Sequence, residues 1–169
     1  MPNMNNVFDI LKGLSLLLFI GIIWSSCLTP PEYPDEPRIE FVSMLRDTVI
    51  QGVDSNVITI SFEDGDGDIG SNNEVNLFLT DTRFTSPARV QTFKIPVIPQ
   101  QGIGNGISGK VDILIDPGSL CCVNTKITCV SEENAPMEPT VYTMYLEDRA
   151  GNVSNVIELP PLYLICDQL

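Results

Sequence analysis

Nine short stretches of this chain alternate apolar and polar residues one by one, and that pattern constrains the fold more than any other feature. Side chains of an extended strand point to opposite faces in turn, so a period of two marks strands with one buried face. In 57–62 (VITISF), Ile58, Ile60 and Phe62 share one face, with Thr59 and Ser61 on the other. Val75, Leu77 and Leu79 behave alike, as do Val111, Ile113 and Ile115, and Tyr142, Met144 and Leu146. Further candidates are 39–44, 90–95, 127–130, 153–159 and 163–166. Beyond Arg38 no stretch carries the three-to-four-residue period of an amphipathic helix. Turn chemistry separates the strands: Gln51-Gly52, the Gly-rich stretch 100–109, and Asp116-Pro117-Gly118. Seven to nine short strands predict an all-β sandwich, with a small barrel as the alternative. At 169 residues, with 43% hydrophobic and 18% charged, the chain can bury one core and is no disordered acidic tail.

The segment 142–159, YTMYLEDRAGNVSNVIEL, resembles the final hairpin of bacterial immunoglobulin-like and fibronectin type III-like domains. In those domains a strand ends in an Asp-x-x-Gly-Asn turn before the last strand. Here the turn is Asp148, Arg149, Ala150, Gly151, Asn152. Gly151 and Asn152 suit positive-φ positions. The resemblance covers about the last quarter of the chain and implies an immunoglobulin-like sandwich, without implying an activity. The only Trp lies at position 24, so the Trp-and-cysteine core of antibody domains is missing.

The most specific motif is Glu63-Asp64-Gly65-Asp66-Gly67-Asp68-Ile69-Gly70. Calcium takes about six to eight hard oxygen ligands, and alternation with glycine lets a loop curl until its carboxylates converge. Without a cation, two carboxylates 4 Å apart repel by about 1 kcal/mol in water and about 4 at an effective dielectric of 20. The opening Asp-x-Asp-x-Asp resembles an EF-hand loop, but Ile69 stands where that loop needs Gly and Val75 where it needs the bidentate Glu. An EF-hand is therefore rejected. A structural Ca²⁺ loop of a β-domain is expected at Asp64, Asp66 and Asp68, against a solvated acidic turn as the plainer reading. In a seven-strand sandwich the loop after the second strand shares an end with the loop after the sixth. Asp148 is thereby predicted to join the same ion, with Glu147 and Asn152 in reach. Asp81 is a weaker candidate, because it follows the opposite end of the next strand.

The N-terminus reads as an address. Residues 14–24, LSLLLFIGIIW, are apolar or small, about half of what a membrane-spanning helix needs. Such a run fits the apolar part of a signal peptide. It ends in Ser25-Ser26-Cys27, which resembles the lipobox of bacterial lipoproteins. That resemblance implies cleavage before Cys27 and acylation of its thiol, with palmitate among the chains. Trp24 departs from the aliphatic residue usual there, and an uncleaved anchor is the alternative. Pro30, Pro31, Pro34 and Pro37 favour extended chain after Cys27. Residues 1–26 thus read as the lipoprotein signal peptide, 27–37 as the lipidated Cys with a Pro-rich acidic tether, and 38–169 as the domain. Glu32, Asp35 and Glu36 loosely resemble the acidic export signal of some surface lipoproteins. The expected location is the bacterial cell envelope, as an outer-membrane lipoprotein facing the periplasm or the outside.

With Cys27 acylated, Cys121, Cys122, Cys129 and Cys166 remain. An even count in an oxidising compartment predicts two disulfides. A bridge between the neighbours Cys121 and Cys122 is strained. One of that pair is then expected to join Cys129 and the other Cys166. No C-x-x-C spacing and no histidine occur, so zinc is excluded.

Absence of histidine also removes Ser-His-Asp and Cys-His catalysis. Net charge is −13, and loss of residues 1–26 removes one Lys and one Asp and leaves it unchanged. Such a surface repels nucleic acid and anionic lipid heads. The expected role is a non-catalytic, membrane-anchored surface lipoprotein, a calcium-stabilised module that binds or braces another envelope protein or a glycan. The alternative is a glycan-binding accessory of an outer-membrane uptake system. That role calls for exposed aromatics, with Tyr33, Phe84, Phe93 and Tyr163 as candidates and aromatics only 7% of the chain. A glycoside hydrolase needs only two carboxylates. The one acidic cluster here reads as an ion loop, so no enzyme is expected.

Overall fold

A computed structural model describes residues 32–99, 106–116, 119–120, 122 and 137–166. The signal peptide, Cys27, residues 28–31 of the tether, the candidate strand 127–130, Cys121 and Cys129 lie outside the described residues. Ten strands lie among the described residues: β1 Arg38–Met44, β2 Thr48–Ile50, β3 Asn56–Asp64, β4 Leu77–Thr85, β5 Ala88–Phe93, β6 Ile107–Ile115, β7 Met137–Thr140, β8 Tyr142–Leu146, β9 Ile157–Glu158 and β10 Leu162–Ile165. Among the described residues there is no α-helix.

The strands form three sheets, ordered β1-β3-β6, β5-β4-β8-β9 and β2-β10-β7. In the third, β10 runs parallel to β2 and antiparallel to β7. The chain crosses between the first two sheets after β3, returns before β6 and crosses again before β8. That is the crossing pattern of an immunoglobulin-like sandwich. Inward faces of all three sheets meet in one core that includes Ile58, Ile60, Leu79, Ile115, Met144 and Leu164.

The expected alternation holds on β3 and β8. Val75 is a correction: it is half exposed and precedes β4, which begins at Leu77. The stretch 153–159 is strand only at β9, with Val153 forming a single bridge to Glu147. β2 and β7, three and four residues long, are too short for periodicity to reveal.

Two amide side chains tie the sheet ends together. Asn56, fully buried, donates to Arg46 O and accepts from Arg46 N. Asn76, also buried, accepts from Ile95 N at 2.7 Å and donates to Ile95 O at 3.1 Å. Its own carbonyl accepts from Glu147 N, so one residue joins the loop before β4 to both neighbouring strands.

Candidate metal site

The pleat of β3 buries every even-numbered residue: Asn56, Ile58, Ile60, Phe62 and Asp64. Asp64 therefore occupies the next core position of an apolar face, and it is 0% exposed. On β8 the same phase runs through Tyr142, Met144 and Leu146 to Asp148, which is 7% exposed. Both strands end by pointing a carboxylate where a hydrophobic side chain would continue the core.

Pairing brings these ends together. Leu77, the first residue of β4 after the acidic loop, pairs with Leu146, the last of β8. One carboxylate oxygen from each of Asp64, Asp66, Asp68 and Asp148 lies within 4.8 Å of the other three. The sandwich thus assembles the four residues that the sequence singled out. Asp81 sits at the opposite end of β4, against Tyr142. It is engaged there by Arg83 at 2.6 Å and by the Thr140 hydroxyl at 3.3 Å.

The loop curls around its own first aspartate. Asp64 Oδ2 accepts from the backbone N–H of Asp68 at 2.8 Å and of Ile69 at 3.3 Å. Ile69 is fully buried and anchors the loop to the core. Asp148 is fixed from its own turn: Oδ1 accepts from Asn152 N and Oδ2 from Asn152 Nδ2, each at 2.8 Å. Gly151 in that turn has φ +90°, the conformation its place in the hairpin predicts. Asn152 thus orients Asp148, and Glu147 lines a neighbouring cleft with Glu74 and Arg149. Arg149 bridges the two loops by donating to Gly70 O at 2.8 Å. It has no signal in the sequence, because its partners are backbone carbonyls some eighty residues away.

Three oxygens in this cluster are buried without any partner: Oδ1 of Asp64, of Asp66 and of Asp68. Buried polar groups are satisfied in the great majority of cases, and a metal ion is one partner that this cluster could hold. Burial pushes the Asp64 carboxyl up to about 6, and the charges of Asp66 and Asp68 add to the rise against the two N–H bonds. Asp68 is also raised, by burial first and then by Asp148 and Asp66, while Arg149 and the Ala150 backbone N–H oppose the shift.

Of the four candidate cysteines, Cys122 and Cys166 form a disulfide with Cα atoms 5.8 Å apart. Glu138 lies beside them, and both sulfurs are committed to the bridge. The four aromatics named for a glycan-binding role, most of them expected in core or tether, occupy separate settings. Tyr33 is half-buried and donates to the Ser108 hydroxyl, Phe93 packs on the core, and Phe84 lies between Arg83 and Arg89. Tyr163 is 38% exposed. An unforeseen pair, Phe78 and Tyr145, stacks with centroids 4.7 Å apart on the face opposite the core.

The chain matches no protein-family model and no curated protein in sequence. Among solved structures it is similar to a beta-glucosidase from Listeria innocua in complex with gluconolactone. Identity is 14%, the TM-score 0.36, and the alignment covers 79% of this chain but 16% of the other. A likeness of that degree carries no inference about activity.

Proposed function

We propose that the protein is a non-catalytic module of the bacterial envelope, anchored through an acylated Cys27 and stabilised by a calcium ion held by Asp64, Asp66, Asp68 and Asp148. The observation that carries the ion is the set of three buried, unpartnered carboxylate oxygens, one on the fully buried Asp64. Calcium suits it better than magnesium, which keeps its waters and demands a tight octahedron. The anchor rests on the apolar run ending in Ser25-Ser26-Cys27. The role is to bind or brace another envelope component.

Thermal unfolding in calcium, magnesium and EDTA tests this reading. At tenfold excess over Kd, calcium should stabilise the fold by about 1.4 kcal/mol, a melting shift of several degrees. With Kd of about 10⁻⁴ to 10⁻³ M, millimolar ion is the relevant range. Asp66→Ala should abolish the shift. Because the two loops meet, Asp148→Ala should shrink it as well. A melting curve indifferent to millimolar calcium and EDTA would leave a bare acidic turn.

A second reading, a glycan-binding accessory of an uptake system, is favoured by one observation. The Phe78–Tyr145 stack lies on the outer face of the β5-β4-β8-β9 sheet, where a sugar ring can reach it. Glycan-array binding that is lost in Tyr145→Ala, without turnover of the glycan, would favour this reading over the first.

A further inference from the structure

The segment that enters the domain ahead of β1 is fastened to the acidic loop of the ion site, and β1 itself to the chain just beyond the Asp148 turn. Pro34 O accepts from Gly65 N at 2.7 Å, and Gly65 lies between the ligand candidates Asp64 and Asp66. A Cβ on Gly65 would meet Tyr33 O, and Pro34 O at 2.7 Å, so only glycine lets the two backbones come this close. The Tyr33 ring lies over Gly106, where a Cβ would stand 3.2 Å from its Cδ2 and 3.3 Å from Asp64 O. Its hydroxyl donates to Ser108 on β6. Farther along, Asn155 grips Ile39 twice: its Oδ1 accepts from Ile39 N and its Nδ2 donates to Ile39 O, each at 2.9 Å. Asn155 follows Ser154, whose hydroxyl accepts from Leu146 N beneath the Asp148 turn.

We infer that ion binding and the seating of residues 33–37 are one coupled event, so that calcium decides whether the domain holds its tether or releases it. This rests on the calcium reading above. The bond to Pro34 comes from Gly65, whose neighbours on either side, Asp64 and Asp66, carry unpartnered oxygens of the cluster. With the ion bound, Gly65 is pinned between two ligands and presents its N–H to Pro34. Without it, repulsion among Asp64, Asp66 and Asp68 opens the turn that carries that N–H. Coupling is reciprocal: a segment that seats better when the ion is bound must also tighten the ion. The acidic, proline-rich stretch 32–37 is therefore a strap whose closure is set by calcium.

Hydrogen exchange on the exported, processed protein in detergent tests this in millimolar calcium and in EDTA. Calcium should slow exchange of the Gly65 and Ile39 amides and of peptides spanning 33–41 by about tenfold, more than in the middle of β4 and β8. Gly65→Ala keeps all four carboxylates and removes the seat. It should weaken calcium binding by about tenfold and leave 33–41 fast-exchanging with or without the ion. Should Gly65→Ala fail to fold, Tyr33→Phe removes the strap's bond to Ser108 and should weaken binding in the same direction. Calcium-induced melting shifts with unchanged exchange at 33–41 would overturn the coupling and leave the ion site standing. Failure of calcium to bind would overturn both.

Discussion

Asp64 is the residue on which the site turns. It stands in phase with Ile58, Ile60 and Phe62 and is as buried as they are, yet it carries one oxygen with no partner. Its pH dependence follows. The ordinary value of 3.8 rises to about 6 in the folded protein. Between those values the folded state binds a proton that the unfolded chain has lost. Stability from this group is therefore full below pH 3.8 and falls as pH rises through about 6. In EDTA the wild type should lose stability over that window relative to Asp64→Asn, which keeps the shape without the charge. On the proposed calcium reading the ion competes with the proton, so its stabilising effect should grow over the same window and vanish in Asp64→Asn. Urea unfolding at pH 4.5 and 7 reads both trends, and equal slopes for the two proteins would refute the assignment. Asp148→Ala should in addition destabilise the protein in EDTA, because it removes the acceptor of two Asn152 bonds.

Among the elements, β10 depends most on a covalent support. It is four residues long, sits between β2 and β7, and ends beside Cys166. The bridge to Cys122 closes a loop with a sequence separation of 44. In the chain-entropy model such a loop contributes about 4 kcal/mol. Cys166→Ser should lower stability by about 2 to 4 kcal/mol, with β2 and β7 losing hydrogen-exchange protection before β3 and β6. Peptide mapping without reductant should recover Cys122 joined to Cys166. A Cys166 peptide joined elsewhere, or carrying a free thiol in exported protein, would overturn this. Cys121 and Cys129 then remain to pair with each other or to stay free, and the same map decides between these outcomes.

At the scale of the whole molecule, the proposed anchor and the fold are separate matters. Expression with labelled palmitate should mark the wild type and not Cys27→Ala, while both should melt alike in calcium once solubilised. Two or three acyl chains at about 0.8 kcal/mol per buried CH₂ hold a protein at a membrane effectively for good. Equal labelling of the two proteins would end the lipoprotein reading.

Local alternation determined much by itself. It marked β3, β4, β6 and β8 and the sandwich, because pleating is a property of neighbouring residues, and the structure carries the inward phase of β3 and β8 on into Asp64 and Asp148. That phase also runs through Leu77 and Leu79 to Asp81, which is equally buried but answered by Arg83. The sequence pattern does not distinguish an inward carboxylate met by a cation of the chain from one left open for an ion. Strand order had already set Asp81 apart, and the pairing of β4 with β8 agrees: Asp81 faces Tyr142, whereas Asp148 follows Leu146, the partner of Leu77. Tertiary structure alone also decided the choice of Cys122 for Cys166, the bridge from Arg149 to Gly70, and the strap of Tyr33 and Pro34 on Gly65. Each joins segments about thirty to eighty residues apart, through backbone groups that every residue carries or through one of several equivalent cysteines. Such contacts leave no periodic trace in the chain and exist only once the sheets have closed on one core.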